Sequence, residues 1–257
     1  MVNKAKPKSG SSRRPPGCVS LDRALSKLGL ASRTQARELI LAGKVRVNGA
    51  IKTNPGFALR PETAQIEIDG IKREPEAWRT ILFHKPRSVV TTRSDEKGRK
   101  TVFSVLGDQA GNLQAVGRLD LATSGALLLT NDTRLASWLT DPENQVPRVY
   151  LVSVQGEFPA DAIPDILKGI LDQGELLQAD QVEIRKTSSR ESHLVVQLRQ
   201  GKNREIRRIF SLLGHEVTRL KRVAFGGIEL GDLELGQFRE ISSEEIRALF
   251  PEAPIRK

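Results

Sequence analysis

Apolar and polar residues repeat along this chain with two different periods, and the first helical pattern begins at Leu21. Leu21, Ala24, Leu25 and Leu28 recur at the spacing of one helix face, and Gly29 marks the end of the pattern. A short helix is therefore predicted over this stretch.

A second helical pattern follows and leads into a hairpin. Ser32 can cap this helix while Gln35 returns the bond, and the pattern continues to Gly43. Valines then alternate with charged residues, and the pair Asn48-Gly49 is a strong signal for a type I′ hairpin turn. Two short helices followed by a hairpin are predicted for this part of the chain.

Later in the chain, stretches typical of strands come in consecutive runs, and helical patterns are fewer. The predicted strands are 80–85, 113–117, 126–130, 148–154, 181–186 and 193–198. The predicted helices are 159–171, 203–214 and 242–250. The second has an apolar stripe of Ile206, Ile209, Phe210 and Leu213, and the third begins with the capping pair Ser242 and Glu245. Because strands and helices do not strictly alternate, the pattern favours an α+β fold with a mixed, mostly antiparallel sheet over a doubly wound one.

Composition divides the chain into five predicted segments. The first 19 residues are rich in Lys, Ser, Pro and Gly, lack core residues, and are expected to be a disordered basic tail. The predicted segments after it are a small helix-hairpin domain over 20–72, a linker over 73–79, a larger domain over 80–251 and a C-terminal tail over 252–257.

The net charge of +10 is concentrated in a few places. It lies in the N-terminal tail, in the small domain, and in Gly201–Arg222, which holds seven basic and two acidic residues. Such patches predict binding to a polyanion, most often a nucleic acid. The alternative is a solvated surface that only aids solubility.

Several classes of protein are disfavoured by the composition. Three scattered histidines and one cysteine do not form a zinc site, and no apolar run reaches membrane-spanning length. The first twenty residues lack the apolar stretch of a signal peptide. The lone Cys18 cannot form an internal disulfide, so a cytoplasmic protein is expected.

One acid stands alone in a glycine-flanked loop. In Gly117–Gly125, Asp120 lies among small and polar residues just before the apolar run Ala126–Leu129. The simplest interpretation is a turn, because aspartate bonds its own backbone there. Three later stretches change this interpretation, namely P-R-V-Y-L-V-S-V, G-K-N-R-E-I-R-R-I-F and L-K-R-V-A-F-G-G-I-E-L.

Together these stretches resemble a known family. Residues 20–69 resemble the αL RNA-binding motif, and Leu21–Leu249 resembles pseudouridine synthases of the RsuA/RluB type. The resemblance implies a pseudouridine synthase catalytic domain behind an αL RNA-binding domain. It also implies an isomerase that breaks the N-glycosidic bond of a uridine in RNA, turns the base and rejoins it through carbon, with no cofactor and no metal.

The resemblance assigns roles to particular residues. Asp120 is implied to be the catalytic carboxylate, Tyr150 to lie against the target base, and Arg207 to fix the acid through a bidentate bond. Substrate-binding roles are implied for Arg118, Thr123, Leu220, Lys202, Asn203 and Arg204. The RNA-binding residues expected in the small domain are Arg23, Ser32, Arg33, Arg37, Lys44 and Arg46.

Ribosomal RNA is the substrate implied by the family, either naked or in an assembly intermediate. The stretch Gly98–Leu106 favours the large subunit over the small one, and a monomer is the default expectation. Two rival classes stay open. An αL-domain RNA methyltransferase needs closely spaced glycines that Leu119–Leu128 lacks, and a non-catalytic ribosome-associated RNA-binding protein would leave the Asp120 loop without a purpose.

Overall fold

A computed structural model describes residues 17–31, 33–61, 63–73 and 77–255. The chain folds as two compact units, Met1–Ala77 and Trp78–Lys257. Most of the predicted basic tail, the middle of the predicted linker, Ser32 and the last two residues lie outside the described residues. The finer domain boundaries therefore stay predictions.

The N-terminal unit consists of two helices and short strands around its own core. The helices are α1 (Leu21–Lys27) and α2 (Arg33–Leu41). The strands are β1 (Val19–Ser20), β2 (Val45–Val47), β3 (Ala50–Ile51), β4 (Ala58–Leu59), β5 (Ile66–Ile68) and β6 (Ile71–Arg73). The strand order β3-β2-β5-β6 is antiparallel throughout, and β1 pairs with β4. Leu21, Ala24 and Leu25 are fully buried in this core, as the helical spacing predicted, and Ile40 of α2 is buried beside them.

The predicted hairpin of the N-terminal unit is confirmed. Asn48 and Gly49 both have positive φ, 51° and 80°, which the type I′ turn between β2 and β3 requires. Asn48 also accepts a hydrogen bond from the backbone N–H of Gln65 at 2.9 Å, so the turn is joined to the chain that leads into β5.

The C-terminal unit is built on one large sheet. Its strands are β7 (Thr80–Lys85), β8 (Gln114–Ala115), β9 (Ser124–Thr130), β10 (Arg148–Gln155), β11 (Ile170–Asp172), β12 (Glu175–Leu177), β13 (Gln181–Lys186), β14 (Glu191–Leu198), β15 (Val217–Phe225), β16 (Ile228–Glu229) and β17 (Phe238–Glu240). Its α-helices are α3 (Val102–Leu106), α4 (Thr133–Thr140), α5 (Ile163–Lys168), α6 (Glu205–Leu212) and α7 (Ser243–Leu249).

The order of the strands confirms a mixed, mostly antiparallel sheet. The main path runs β13-β14-β10-β15-β9-β7-β17, with β8 beside β9, β16 beside β15, and β11-β12 as a separate hairpin. Only the pairing of β15 with β9 is parallel among these strands. Strand β15, which was not among the predicted strands, therefore joins the two antiparallel halves at the centre of the sheet.

The middle of the sheet is covered on both faces. Along β7 and β9, Leu82 and Leu128 pack into one core while Phe83 and Leu127 pack into another on the opposite face. A third core lies beneath the half of the sheet that contains β10 and β14, and α6 packs into it through Ile206, Ile209 and Phe210. The predicted apolar stripe of this helix is confirmed.

One predicted helix was wrong at its C-terminal end. The pattern over 159–171 forms a short 3₁₀ turn and α5, and the helix ends at Lys168, just before Gly169, whose φ is +100°. The two apolar residues that follow belong to β11, so their helical spacing was accidental. At the start of α7, Ser242 accepts from the backbone N–H of Glu245 at 3.1 Å, as the capping pattern predicted.

Candidate active site

The Asp120 loop, residues 116–123, connects β8 to β9 and is held by its backbone. The carbonyl oxygen of Asp120 accepts hydrogen bonds from the Thr123 N–H at 3.0 Å and from Lys85 Nζ at 3.1 Å. The Thr91 hydroxyl donates to the carbonyl oxygen of Leu119 at 2.9 Å. Among the described residues nothing hydrogen-bonds to the half-buried carboxylate of Asp120, which is therefore left for chemistry.

Lys85 is the residue beneath this loop that the sequence-based site missed. Its side chain is fully buried at the end of β7, and Nζ donates to the carbonyl oxygens of Pro86, Asp120 and Thr123 at 3.0, 3.1 and 2.9 Å. Burial lowers the pKa of Lys85 to about 8, and the nearby charge of Asp120 opposes this shift. The H-K-P motif before a turn was the available signal.

Glycine is required where the loop enters β9. Gly125 has a φ of +114°, and a Cβ built there would lie 2.1 Å from the carbonyl oxygen of Arg222. Gly117, at the other end of the loop, has a φ of +71°. Both conformations, which glycine adopts readily, let the chain bend tightly around Asp120.

Arg207 lies on the first turn of α6 and contacts the loop through its backbone. Nη2 donates to the carbonyl oxygen of Ala122 at 3.3 Å, and Nη1 donates to that of Val217 at 2.9 Å. Burial and the neighbouring Arg204 lower the pKa of Arg207, while the charge of Asp120 raises it. The bidentate bond expected between Arg207 and Asp120 is not made among the described residues, because both terminal nitrogens are turned to carbonyl oxygens. The two side chains interact here through charge alone.

Tyr150 is half-buried on β10 and packs against two of the cores of the sheet. It pairs with Arg222 on β15 and with Val196 on β14. Leu220, which pairs with Val152 in the same register, is 7 % exposed. Both Tyr150 and Leu220 line a pocket of about 200 Å³ that also contains Asp120.

This pocket brings most of the predicted site residues together. Its lining includes Arg118, Thr123, Lys202 and Arg204 as well as the three residues just named. Asn203 and Arg207 are not part of the lining. Lys202 and Arg204 stand at the start of α6, where Arg204 adopts a left-handed conformation with φ of 49°.

Three charged residues that sequence reasoning left out line the same pocket. Arg148 and Arg222 are each more than nine-tenths buried, and their guanidinium carbons lie 5.2 and 5.0 Å from the ring centroid of Phe225. Glu205 is 3 % exposed, and burial raises its pKa. Burial lowers the pKa of Arg148, and Glu205 opposes this. No sequence signal separates such buried charges from the exposed ones beside them.

The predicted RNA-binding residues lie on the surface of the N-terminal unit. Arg23, Arg33, Arg37, Lys44 and Arg46 are all exposed, and Ser32 lies outside the described residues. Four of them also have structural partners. Arg37 Nε donates to the buried Asp22 at 3.1 Å, and Arg33 lies 3.8 Å from it. Lys44 lies 3.3 Å from Asp69, and Arg46 donates to the carbonyl oxygen of Gly49 at 3.3 Å. Burial would raise the pKa of Asp22, but hydrogen bonds from Ser20 and Arg37 outweigh it and lower the pKa.

The described residues contain neither a group of three or more His, Cys, Asp or Glu side chains that could hold a metal ion nor a helix long and apolar enough to span a membrane.

Comparison with known proteins assigns the class. Residues 79–212 match the family model described as RNA pseudouridylate synthase, and residues 19–64 match the S4 domain. The two units therefore define an RNA-modifying isomerase with an N-terminal RNA-binding domain. The chain belongs to the RNA pseudouridylate synthase family, and its two-domain order is that of the RsuA/RluB type.

Individual relatives agree with this assignment. The chain is 35 % identical over 234 residues to an uncharacterized RNA pseudouridine synthase of Aquifex aeolicus, covering 90 % of this chain and 94 % of that protein. It is also 35 % identical to the ribosomal large subunit pseudouridine synthase B of Bacillus subtilis, covering 89 % and 94 %. A crystal structure of a pseudouridylate synthase shares the fold, with a TM-score of 0.64, 24 % identity, and coverage of 90 % of this chain and 99 % of that one.

Proposed function

We propose that this enzyme converts a specific uridine of large-subunit ribosomal RNA to pseudouridine, with Asp120 as the catalytic carboxylate. The observation that carries the proposal is the meeting of Asp120, Tyr150 and Leu220 in one pocket. The Bacillus subtilis relative supports the large subunit, because it is named a ribosomal large subunit enzyme.

The chemistry requires a carboxylate aimed at a ribose and a surface that holds a base outside its helix. Asp120 meets the first need, because the hydrogen bonds of its loop are made by the backbone and leave its carboxylate unbound. Tyr150 meets the second, because an aromatic ring stacks on an unpaired base. Arg118, Lys202 and Arg204, which also line the pocket, supply positive charge for the neighbouring phosphates.

Asp120 has two roles open to it. It adds to C1′ of the ribose when the N-glycosidic bond breaks, or it removes the proton from C2′. A substrate RNA with deuterium at C2′ separates them, because only proton removal gives a primary isotope effect on single-turnover conversion. Unchanged rates with the deuterated RNA would exclude proton removal as the slow step.

We place the enzyme in the cytoplasm as a monomer that acts on ribosomal RNA, either naked or within an assembly intermediate. Chemical mapping of pseudouridine in ribosomal RNA from cells with and without the gene tests the substrate. We expect one large-subunit position to lose its pseudouridine, and to regain it with wild-type protein but not with Asp120→Asn. A lost position in small-subunit RNA would correct the subunit, and no lost position would contradict ribosomal RNA as the substrate.

A further inference from the structure

The pocket contains an unusual concentration of unused hydrogen-bonding atoms. Six buried side-chain atoms of the described residues have no hydrogen-bond partner, and four of them belong to residues that line this one pocket. They are Thr123 Oγ1, Gln200 Oε1, Glu205 Oε1 and Arg222 Nη2. Because buried polar atoms are almost always paired, their clustering indicates that a ligand supplies the missing partners.

Arg222 is the member of this group that can only donate. An arginine side chain has five N–H donors and no acceptor. Nε of Arg222 donates to the carbonyl oxygen of Ala126 at 2.7 Å, which fixes the guanidinium in place and leaves Nη2 without an acceptor. The residue is 3 % exposed and lies opposite Tyr150 in the register of β10 and β15.

Arg148 provides a built-in comparison within the same pocket. It is also buried and also lies against the ring of Phe225. Its Nη1 and Nη2, however, donate to the carbonyl oxygens of Arg199 and Leu139 at 2.6 and 3.2 Å. Arg148 therefore ties the pocket wall together, whereas Arg222 keeps a donor that the protein does not use.

Uracil has two carbonyl oxygens that can accept a hydrogen bond from Nη2 of Arg222, and the reaction makes them stronger acceptors. When the bond between N1 and C1′ breaks, its electron pair leaves with the base, which becomes an anion with its charge spread over N1, O2 and O4. The ribose either accepts the Asp120 carboxylate at C1′ or loses its C2′ proton. As the bond from C5 to C1′ forms, the Asp120 carboxylate leaves C1′ on the first route, or C2′ regains its proton on the second. C5 then loses its proton and N1 gains one, so the reaction is an isomerisation.

We propose that Arg222 is a catalytic residue whose Nη2 donates a hydrogen bond to a carbonyl oxygen of the target uracil and stabilises the detached base. This role rests on the proposed function. A donor fixed in a water-excluded pocket stabilises developing negative charge more strongly than water does. The lining contains two buried guanidinium groups, those of Arg148 and Arg222, but only one buried carboxylate, that of Glu205, so the pocket favours an anion. Nη2 is closed to water in the free protein, and side-chain adjustments on binding, which are common, open it to the base.

The test combines a protein variant with a changed substrate. Single-turnover conversion is measured for RNA fragments that carry uridine, 2-thiouridine or 4-thiouridine at the mapped target position. Wild type, Arg222→Lys and Arg148→Lys are compared, and circular dichroism checks that each variant is folded. Arg222→Met, which has no N–H donor, replaces Arg222→Lys if the latter does not fold, and the same result is expected of it.

We expect Arg222→Lys to slow conversion of the uridine RNA by about 10²- to 10³-fold while its Kd for RNA stays nearly unchanged. Sulfur is a weak hydrogen-bond acceptor, so wild type should convert the RNA with sulfur at the contacted position more slowly than the uridine RNA. The oxygen-to-sulfur ratio is the rate with the uridine RNA divided by the rate with the thio RNA. That ratio is expected to fall by about tenfold or more in Arg222→Lys and to persist in Arg148→Lys.

Two failures are distinguishable. Equal oxygen-to-sulfur ratios in wild type and Arg222→Lys, for both thio substrates, would overturn the role of Arg222 while wild-type turnover upholds the proposed function. No conversion of the uridine RNA by wild type would contradict the proposed function itself, and the role of Arg222 with it.

Discussion

Gly125 and Arg222 face each other in the parallel register of β9 and β15, so closely that the position of Gly125 has no room for a side chain. A Cβ on Gly125 would lie 2.1 Å from the carbonyl oxygen and 2.6 Å from the nitrogen of Arg222. The loop that carries Asp120 therefore enters the sheet against the strand that carries the buried arginine. The central parallel pairing of β9 with β15 thus fixes how the Asp120 loop lies relative to Arg222.

Substituting Gly125 should damage the fold as well as the site. In Gly125→Ala the methyl group meets backbone atoms that cannot rotate away, and the φ of +114° is strained for alanine. We expect the free energy of unfolding to fall by about 3 kcal/mol or more. Urea unfolding followed by circular dichroism measures this change.

Gly98→Ala is the matched control for the effect of backbone conformation alone. Gly98 has a φ of +67°, and a Cβ there would meet nothing within 4 Å. We expect a loss of about 1 to 2 kcal/mol from the left-handed conformation. Equal losses for the two variants would contradict the close approach of β9 to β15.

Asp120→Asn should abolish turnover and leave the fold intact. The loop is held by the backbone carbonyl oxygen of Asp120 and by Lys85, and an amide can replace the carboxylate without removing either contact. We expect conversion to fall by about 10⁴-fold or more, with the free energy of unfolding within about 0.5 kcal/mol of wild type. Binding of RNA, measured by filter retention, should be retained. Turnover at the wild-type rate would show that another group performs the chemistry.

The elements of the fold that sequence periodicity predicts well are those with one buried face. The helices of the N-terminal unit, its Asn48-Gly49 hairpin and the stripe of α6 all follow from local spacing and turn chemistry. Strand β15 was missed because its charged residues interrupt the apolar pattern, with Arg219, Lys221 and Arg222 on one short stretch. Arg222 is nonetheless 3 % exposed, because its guanidinium lies against the ring of Phe225 and donates to the carbonyl oxygen of Ala126 on the neighbouring strand β9.

The candidate site also contains residues that the sequence predicts and residues that it does not. Asp120, Tyr150 and Leu220 could be selected because a specific motif surrounds each, and all three line one pocket. The residues that support them carry no such signal, because their roles depend on long-range contacts. Lys85 reaches Thr123 across 38 positions of the chain, and Arg222 reaches Ala126 across 96. The direction of the Arg207 side chain was likewise not predictable from its place in a helix.

Arg207 and Arg208 are adjacent on α6, but substitutions at the two positions should have different effects, one on activity and the other on stability. Arg207 joins the Asp120 loop to β15 through two carbonyl oxygens, and a lysine can reach only one of them. We expect Arg207→Lys to lower kcat by about 10²-fold, because small shifts of the reacting groups are costly, with little loss of stability.

Arg208→Ala is the matched control for that substitution. Arg208 lies 2.6 Å from both Asp172 and Glu175 on the β11–β12 hairpin. We expect a measurable loss of stability, because two ion pairs to the hairpin are removed, and much less loss of activity per molecule of folded protein. Single-turnover assays and urea unfolding of both variants supply the two measurements, and the reverse pattern would exclude a role for Arg207 in positioning the loop.

The N-terminal unit should contribute to RNA affinity through charge. Arg23 and Arg46 are exposed and have no carboxylate partner among the described residues. Replacing both with glutamine should leave stability unchanged and lower the salt slope of RNA binding by about 1.4 to 1.8, since each phosphate contact contributes about 0.7 to 0.9. Fluorescence anisotropy across a salt series measures the slope. Arg185→Gln, on the edge strand β13, should leave it unchanged, and an equal effect there would remove the N-terminal surface from the RNA-binding site.

Lys85 should make stability depend on pH in the alkaline range. Its pKa is lowered from 10.5 to about 8 in the folded protein. Between these values the unfolded chain holds a proton that the folded chain has released, so unfolding takes up a proton and stability from this group rises with pH. The full change is about 3 kcal/mol, because each pKa unit corresponds to about 1.4 kcal/mol.

Urea unfolding of wild type and Lys85→Met at pH 7.0 and 10.5 isolates the effect, since the variant lacks the titrating group while the rest of the chain is the same. We expect the stability of wild type relative to Lys85→Met to increase by about that amount over this range. A difference that does not change with pH would show that the three carbonyl oxygens around Nζ hold the ammonium form throughout.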